Sequence, residues 1–151
     1  MTEESKSEEI KKKIVDYLSS HQWLNLGTVD RNGKPMVHTM AFASEGATVY
    51  FLTDKNTHKV SDMKVNPHVA YTVDDDNVQV MEITGIQMQG RASLVADEKE
   101  IGKALKLMSE KYPFMADLPP NPDIIFFKVE PVEAYYLDYS RGFNHRDFVT
   151  Y

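Results

Sequence analysis

The sequence predicts a mostly β protein, an antiparallel barrel with peripheral α-helices, and three observations lead there. Segments whose apolar residues alternate with a period of two follow one another from Trp23 to Leu137. The early ones are separated by turns of hairpin length. Helical spacing is confined to the N-terminal stretch and to two later ones. A chain of 151 residues suits one domain spanning 1–151. At that length about 68–70% of the unfolded surface is buried on folding, so no covalent staple is needed.

The elements follow in order. Residues 1–7 are expected to fray, and Ile10, Ile14, Tyr17 and Leu18 place a helix over 8–21, with Lys11–Lys13 as a solvated face. Trp23–Val29 and Pro35–Ala43 read as strands around Asp30-Arg31-Asn32-Gly33-Lys34, where Asn-Gly marks a tight hairpin. Thr48–Thr53 is a third strand. A short helix over Lys59–Val65 stops at Asn66-Pro67, and His68–Val73 is a fourth strand. Asp74-Asp75-Asp76-Asn77 is a turn, since it lacks the glycine and distal glutamate of a calcium loop. Val78–Val95 is a long β-rich stretch, with Gly85 and Gly90 as bends or bulges. Asp97 and Glu100 form a capping box for a helix whose apolar face is Ile101, Ala104, Leu105 and Met108, ended by Tyr112-Pro113. Ile124–Val129 and Ala134–Leu137 are the last strands, divided at Pro131, and residues 139–151 form a tail.

Composition narrows the function. There is no cysteine, so no disulfide framework, cysteine-ligated zinc or thiol catalysis. The net charge of -6 argues against a partner held through nucleic-acid phosphates. Mean hydropathy is -0.44, and no apolar run approaches the 18 or so residues of a membrane span. The polar start of the chain lacks a secretory apolar core, so a cytoplasmic location is expected.

The most informative segment is Thr53-Asp54-Lys55-Asn56-Thr57-His58-Lys59, which joins a strand to a helix. With Thr57 as the cap, His58 and Lys59 fall in the first helical turn. Cations there oppose the helix dipole at a cost of a few tenths of a kcal/mol. An anion at that end removes the conflict. Free N–H groups, flanking threonine hydroxyls and basic side chains together make a phosphate cradle. The alternative is an exposed, capped helix with solvated lysines. His38 lies mid-strand, as a hydrogen-bonded strand histidine or as a functional one. His145 lies in a polar, aromatic-rich C-terminal segment that lines a pocket or docks a partner chain. No histidine pair has metal-ligand spacing and no serine sits in a nucleophile elbow. With no acid–base pair of its own, an enzyme of this sequence needs a cofactor for its chemistry.

Three stretches carry a family resemblance. The first runs from Val49-Tyr50-Phe51-Leu52-Thr53 through Thr57-His58-Lys59 to Val65-Asn66-Pro67-His68-Val69. The second is Gln89-Gly90-Arg91-Ala92. The third is Pro35-Met36-Val37-His38-Thr39-Met40-Ala41-Phe42. From Trp23 to Asp138 the chain resembles the FMN-binding split β-barrel proteins related to pyridoxamine 5'-phosphate oxidase. The resemblance implies a six-stranded antiparallel split barrel that forms a homodimer with FMN at the interface. It implies that Thr53, His58 and Lys59 hold the FMN phosphate and that His38, Thr39, Met40 and Ala41 border the isoalloxazine and ribityl chain. It also implies that the strand face bearing Gln87 and Gln89 reaches the partner's flavin.

The departures are specific. The family often has arginine where His58 stands, and its oxidases carry glutamine where Gly85 stands. Those oxidases also end in a Trp-, Arg- and His-bearing segment that binds the substrate. The ending here, Tyr139-Ser140-Arg141-Gly142-Phe143-Asn144-His145-Arg146, is similar to that of the general-stress and nitroimidazole-reductase-like relatives. The expectation is an FMN-dependent oxidoreductase acting on an unidentified small molecule and not on pyridoxamine 5'-phosphate. The alternatives are a non-catalytic flavin carrier or sensor, a haem-binding relative using His38 and His145, and a barrel that acts only through protein contacts.

Overall fold

The computed structural model describes residues 2–151, and Met1 lies outside the described residues. Helix α1 spans Glu3–Ser20, so the stretch expected to fray is helical from Glu3. The cause is local. Thr2 is the N-cap and accepts the Ser5 N–H at 3.1 Å, and Glu3 and Glu4 sit in the first turn, where acids suit the dipole. Ile10, Ile14, Tyr17 and Leu18 form its buried stripe.

Eight strands follow: β1 (Trp23–Val29), β2 (Pro35–Ala41), β3 (Ala43–Glu45), β4 (Thr48–Asp54), β5 (His68–Asp74), β6 (Thr84–Leu94), β7 (Ile124–Asp138) and β8 (Arg146–Thr150). Helix α2 (His58–Val65) joins β4 to β5, and α3 (Glu98–Lys111) stands between β6 and β7. All pairings are antiparallel, and the strands form one curled sheet in the order β2-β1-β5-β6-β7-β4-β3, with β8 on β7. The expected count of six is therefore corrected to eight, for two reasons. Fully buried Phe42 separates β3 from β2, and the tail does not trail. A 3-10 turn over Tyr139–Arg141, Gly142 at φ 142° and Asn144 at φ 64° reverse the chain so that β8 zips onto β7.

Two further expectations are corrected. Val80–Glu82 is a 3-10 turn, so the β-rich stretch is a strand only from Thr84. The break at Pro131 does not occur, and β7 is continuous. Pro131 stands opposite Gly90, where the β6–β7 register shifts between Gln89 and Gly90. A bulge tolerates the residue that has no N–H to donate.

The main core fills the inside of the curl and includes Leu24, Leu26, Phe51, Ile86, Met88 and Phe127. A second cluster lies between β3–β4 and α3, with Tyr50, Ala104, Met108 and Tyr112. Leu105 is exposed, and Leu107 takes a place beside this cluster. Only half of the capping box forms. Asp97 accepts the Glu100 N–H, but the Glu100 carboxylate turns away to the Tyr50 hydroxyl at 2.9 Å and Lys128 Nζ at 3.0 Å. The Tyr112 hydroxyl lies 2.7 Å from the Gln22 carbonyl and 2.8 Å from that of Phe42, and it accepts the Phe42 N–H at 3.3 Å. Beside it Lys111 Nζ donates to the Leu18 carbonyl at 3.3 Å and stands 3.9 Å from the centre of the Phe42 ring.

A side chain at position 90 has nowhere to go. A Cβ there would stand 2.5 Å from Val129 Cγ1 and 2.7 Å from the Glu130 carbonyl oxygen. We expect Gly90→Ala to destabilise the protein by about 1–3 kcal/mol, the usual cost of overpacking. Urea denaturation measures it, and an unchanged midpoint contradicts the close approach.

Candidate functional site

The sheet is open between its margins. β2 pairs only with β1, and β3 only with β4, so one backbone edge of β2 carries no ladder. The β4–α2 junction is built near this edge. Asp54 accepts the Asn56 N–H at 2.8 Å and tightens the loop. Thr57 is the N-cap in backbone conformation, but its hydroxyl donates backwards to the Asp54 carbonyl at 2.9 Å and makes no cap bond. The first helical bond in the chain direction is from Ser61 N–H to the Thr57 carbonyl. The N–H groups of His58, Lys59 and Val60 thus have no hydrogen-bond partner among the described residues. No acid occupies the first turn of α2.

Lys59 is partly buried, and burial lowers its ammonium pKa from the ordinary 10.5, with Asp54 opposing the shift. Among the described residues it forms no ion pair. A cation withheld from water beside free N–H groups is a half-built anion site. Thr53 is buried at the end of β4, on the inner side with Val49 and Phe51, and His58 is exposed beside Lys59.

His38 faces the same corner from β2. Its Nε2 lies 3.0 Å from Thr28 Oγ1, and the Thr28 hydroxyl donates to Asp62 Oδ2 at 3.5 Å. Burial depresses the His38 pKa from 6.5. The Lys59 charge lowers it further, and Asp62 opposes both. Thr28, only 1% exposed, and Asp62 are site residues that sequence reasoning missed. The usable signals were a threonine among the inward positions of β1 and an acid three residues after Lys59 on α2.

The expectation that the side chains of His38, Thr39, Met40 and Ala41 all border one ligand is corrected by strand alternation. His38 and Met40 pair with Leu26 and Leu24 on the inner face, and Met40 belongs to the core. Thr39 and Ala41 point the other way. Thr39 donates to Asn25 Oδ1 at 3.3 Å, and Ala41 packs against the second cluster. What the four residues share is a margin strand, whose alternate residues turn their backbone N–H and C=O away from β1. Gln87 and Gln89 are exposed on the outer face of β6, in a groove of about 440 Å³ with Asn25, Val37, Thr72 and Tyr135. Arg146 Nη1 donates to Gln87 Oε1 there at 3.4 Å. One chain thus holds an inner corner (Thr28, His38, Lys59, Asp62), with Thr53 buried on the strand that leads into α2, and a separate outer groove. His145 lines neither the corner nor the outer groove and is paired with Asp147 at 3.3 Å. Among the described residues no cluster of three His, Cys, Asp or Glu side chains could hold a metal, and no helix is long and apolar enough to cross a membrane.

An antiparallel sheet curled into a barrel but left open at one edge, with a basic helix N-terminus at the opening, defines a split-barrel protein. The family model described as pyridoxamine 5'-phosphate oxidase matches residues 10–138, and the chain belongs to this family. The family includes FMN-binding and haem-binding proteins. The chain is 29% identical over 128 residues to General stress protein 26 of Bacillus subtilis (strain 168), covering 82% of this chain and 85% of that one. The crystal structure of General Stress Protein 26 from Bacillus anthracis str. Sterne superposes with a TM-score of 0.70 at 25% identity, covering 94% of this chain and 98% of that one. The heme storage protein HutZ from Vibrio cholerae superposes with a TM-score of 0.69 at 22% identity, over 80% and 88% of the two chains, a likeness of fold.

The depressed His38 pKa sets a pH dependence of stability. The folded state binds the proton less readily than the unfolded chain. The contribution of neutral His38 is therefore complete above the ordinary pKa of 6.5 and is lost as pH falls through the depressed folded value. We expect His38→Gln to flatten the acid limb of a plot of melting temperature against pH. An acid limb identical to that of the parent contradicts the burial of this ring.

Proposed function

We propose that the chain is an FMN-binding homodimer with oxidoreductase capacity toward a small molecule. The observation that carries this reading is Lys59, a partly buried cation without an ion pair at a helix N-terminus whose first N–H groups are free. That donor set suits a phosphate monoester. In this reading Lys59, His58, Thr53 and the α2 N–H groups hold the FMN phosphate, and the free edge of β2 over residues 38–41 lies along the ribityl chain and the isoalloxazine. Bound flavin accepts and passes electrons, and the protein orients it and tunes its potential. The residues around it need no strong acid or base.

The division of the site into an inner corner and an outer groove supports a dimer. Gln87 and Gln89 face away from the corner of their own chain, so they reach a flavin only on a second one. The outer face carries exposed apolar side chains, with Val37 at 66% and Phe148 at 50%, as a protein contact requires. Pyridoxamine 5'-phosphate is not the substrate we assign. In the tail Arg141 and His145 share Asp147, and Arg146 bonds to Gln87 and Asn144, so this segment is engaged with its own chain. A flavin carrier without turnover is separated from an enzyme by following the flavin absorbance during reduction by a nicotinamide and reoxidation.

We expect the protein to bind FMN in preference to riboflavin, and Lys59→Ala to weaken FMN binding by about 1.5–3 kcal/mol, the range for a charge-assisted hydrogen bond. Fluorescence titration measures both. Equal affinity for the two flavins removes the cradle, and a haem spectrum in the purified protein replaces FMN altogether.

We also expect a dimer by light scattering at micromolar concentration. A monomer that retains tight FMN binding overturns the two-chain site.

A further inference from the structure

We infer that His38 is the proton-accepting member of the anion site, so that FMN binds with uptake of a proton at His38 Nδ1. The inference rests on the FMN reading above and deepens it. It begins with the only proton the Thr28 hydroxyl has. The Asp62 carboxylate, 3.5 Å away, can only accept, and with that proton directed to Asp62 Oδ2 the Thr28 oxygen is left to accept from His38. On that basis the hydrogen of the 3.0 Å contact is assigned to His38 Nε2. The line from Asp62 through Thr28 fixes the tautomer of the ring, as an oriented carboxylate does for a working histidine. Nδ1 is then the unprotonated nitrogen, and it has no hydrogen-bond partner among the described residues.

Charge completes the case. The groups facing His38 are Lys59 and Asp62 from α2 and the neutral Thr28 from β1. β2 is a sheet margin, so no further strand stands against its other side. Without an anion, the Lys59 ammonium and partial burial keep the ring neutral. A phosphate docked at Lys59 brings negative charge to that corner and cancels the Lys59 field. An opposite charge within about 4–6 Å raises a basic group's pKa by about 1–3 units. His38 then carries a second positive charge, and its Nδ1–H becomes a donor. The consequence is a site that grips FMN more tightly as pH falls toward neutrality.

Isothermal titration of the full-length protein with FMN, in buffers of different ionisation enthalpy at about pH 7, reads the proton directly. FMN phosphate has its second pKa near 6, so between about pH 6.5 and 8.5 the ligand is mainly the dianion and contributes little. The parent should take up a measurable fraction of a proton per FMN, and its affinity should fall across that range by up to about tenfold per pH unit. His38→Gln should bind FMN with no uptake and a flat pH profile, and riboflavin should bind the parent with none. Thr28→Val, which keeps His38 but removes its orienting acceptor, should shift the midpoint of uptake without abolishing it. FMN binding without uptake by the parent, or equal uptake by His38→Gln, overturns the role of His38 and leaves the FMN reading standing. Absence of FMN binding at every pH overturns both.

Discussion

β7 runs for 15 residues and serves three neighbours at once. β6 accompanies it from Leu94 to Thr84, β4 takes its first half, and β8 takes its second. β4 and β8 lie end to end along one edge of β7, on residues 124–129 and 133–137. The bulge at Gln89/Gly90, opposite Pro131, separates the two halves. It works only because residue 90 has no Cβ to drive into Val129 and Glu130. Bulged strands bend and twist more strongly, and here the bulge falls between the stretch of β7 that pairs with β4 and the stretch that pairs with β8. β2 and β3 remain as the two margins of the curl.

The β4–α2 corner breaks local rules that the rest of the chain keeps. A helix that starts with His58 and Lys59 has the wrong charges for its dipole, and Thr57 spends its hydroxyl on Asp54 and leaves the helix uncapped. Each is a small loss. Together they leave free donors and a cation facing one point. Local preference and structure disagree here and agree in the packed sheet around it.

Much of this was legible in the sequence because the signals were local. Asn32-Gly33 marks a real hairpin with Gly33 at φ 83°, Thr57 begins α2, and Asp97 caps α3. The misses share a cause. Pro131 looks like a break until its partner across the ladder, Gly90, is known. β8 has too few residues to announce itself, and it exists because Gly142 and Asn144 turn it onto β7. The line from His38 through Thr28 to Asp62 joins residues 34 positions apart on a strand and a helix. No periodicity encodes it. The reading of residues 38–41 as a single lining identified the right strand. It overlooked that alternation divides their side chains between two faces and leaves the backbone edge in common.

The clasp at the end of α3 has a consequence for how the barrel opens. Phe42 is the only residue between β2 and β3, the two margins of the sheet. Its N–H and its carbonyl both meet the Tyr112 hydroxyl, which also reaches Gln22, while Lys111 covers its ring and ties the end of α1. The last turn of α3 therefore cannot fray without uncoupling both margins and the end of α1 at one stroke. Those three places form one cooperative opening unit, although they lie far apart in the chain. The end of the helix that covers the second core cluster is thus tied to both margins of the sheet and to the end of α1.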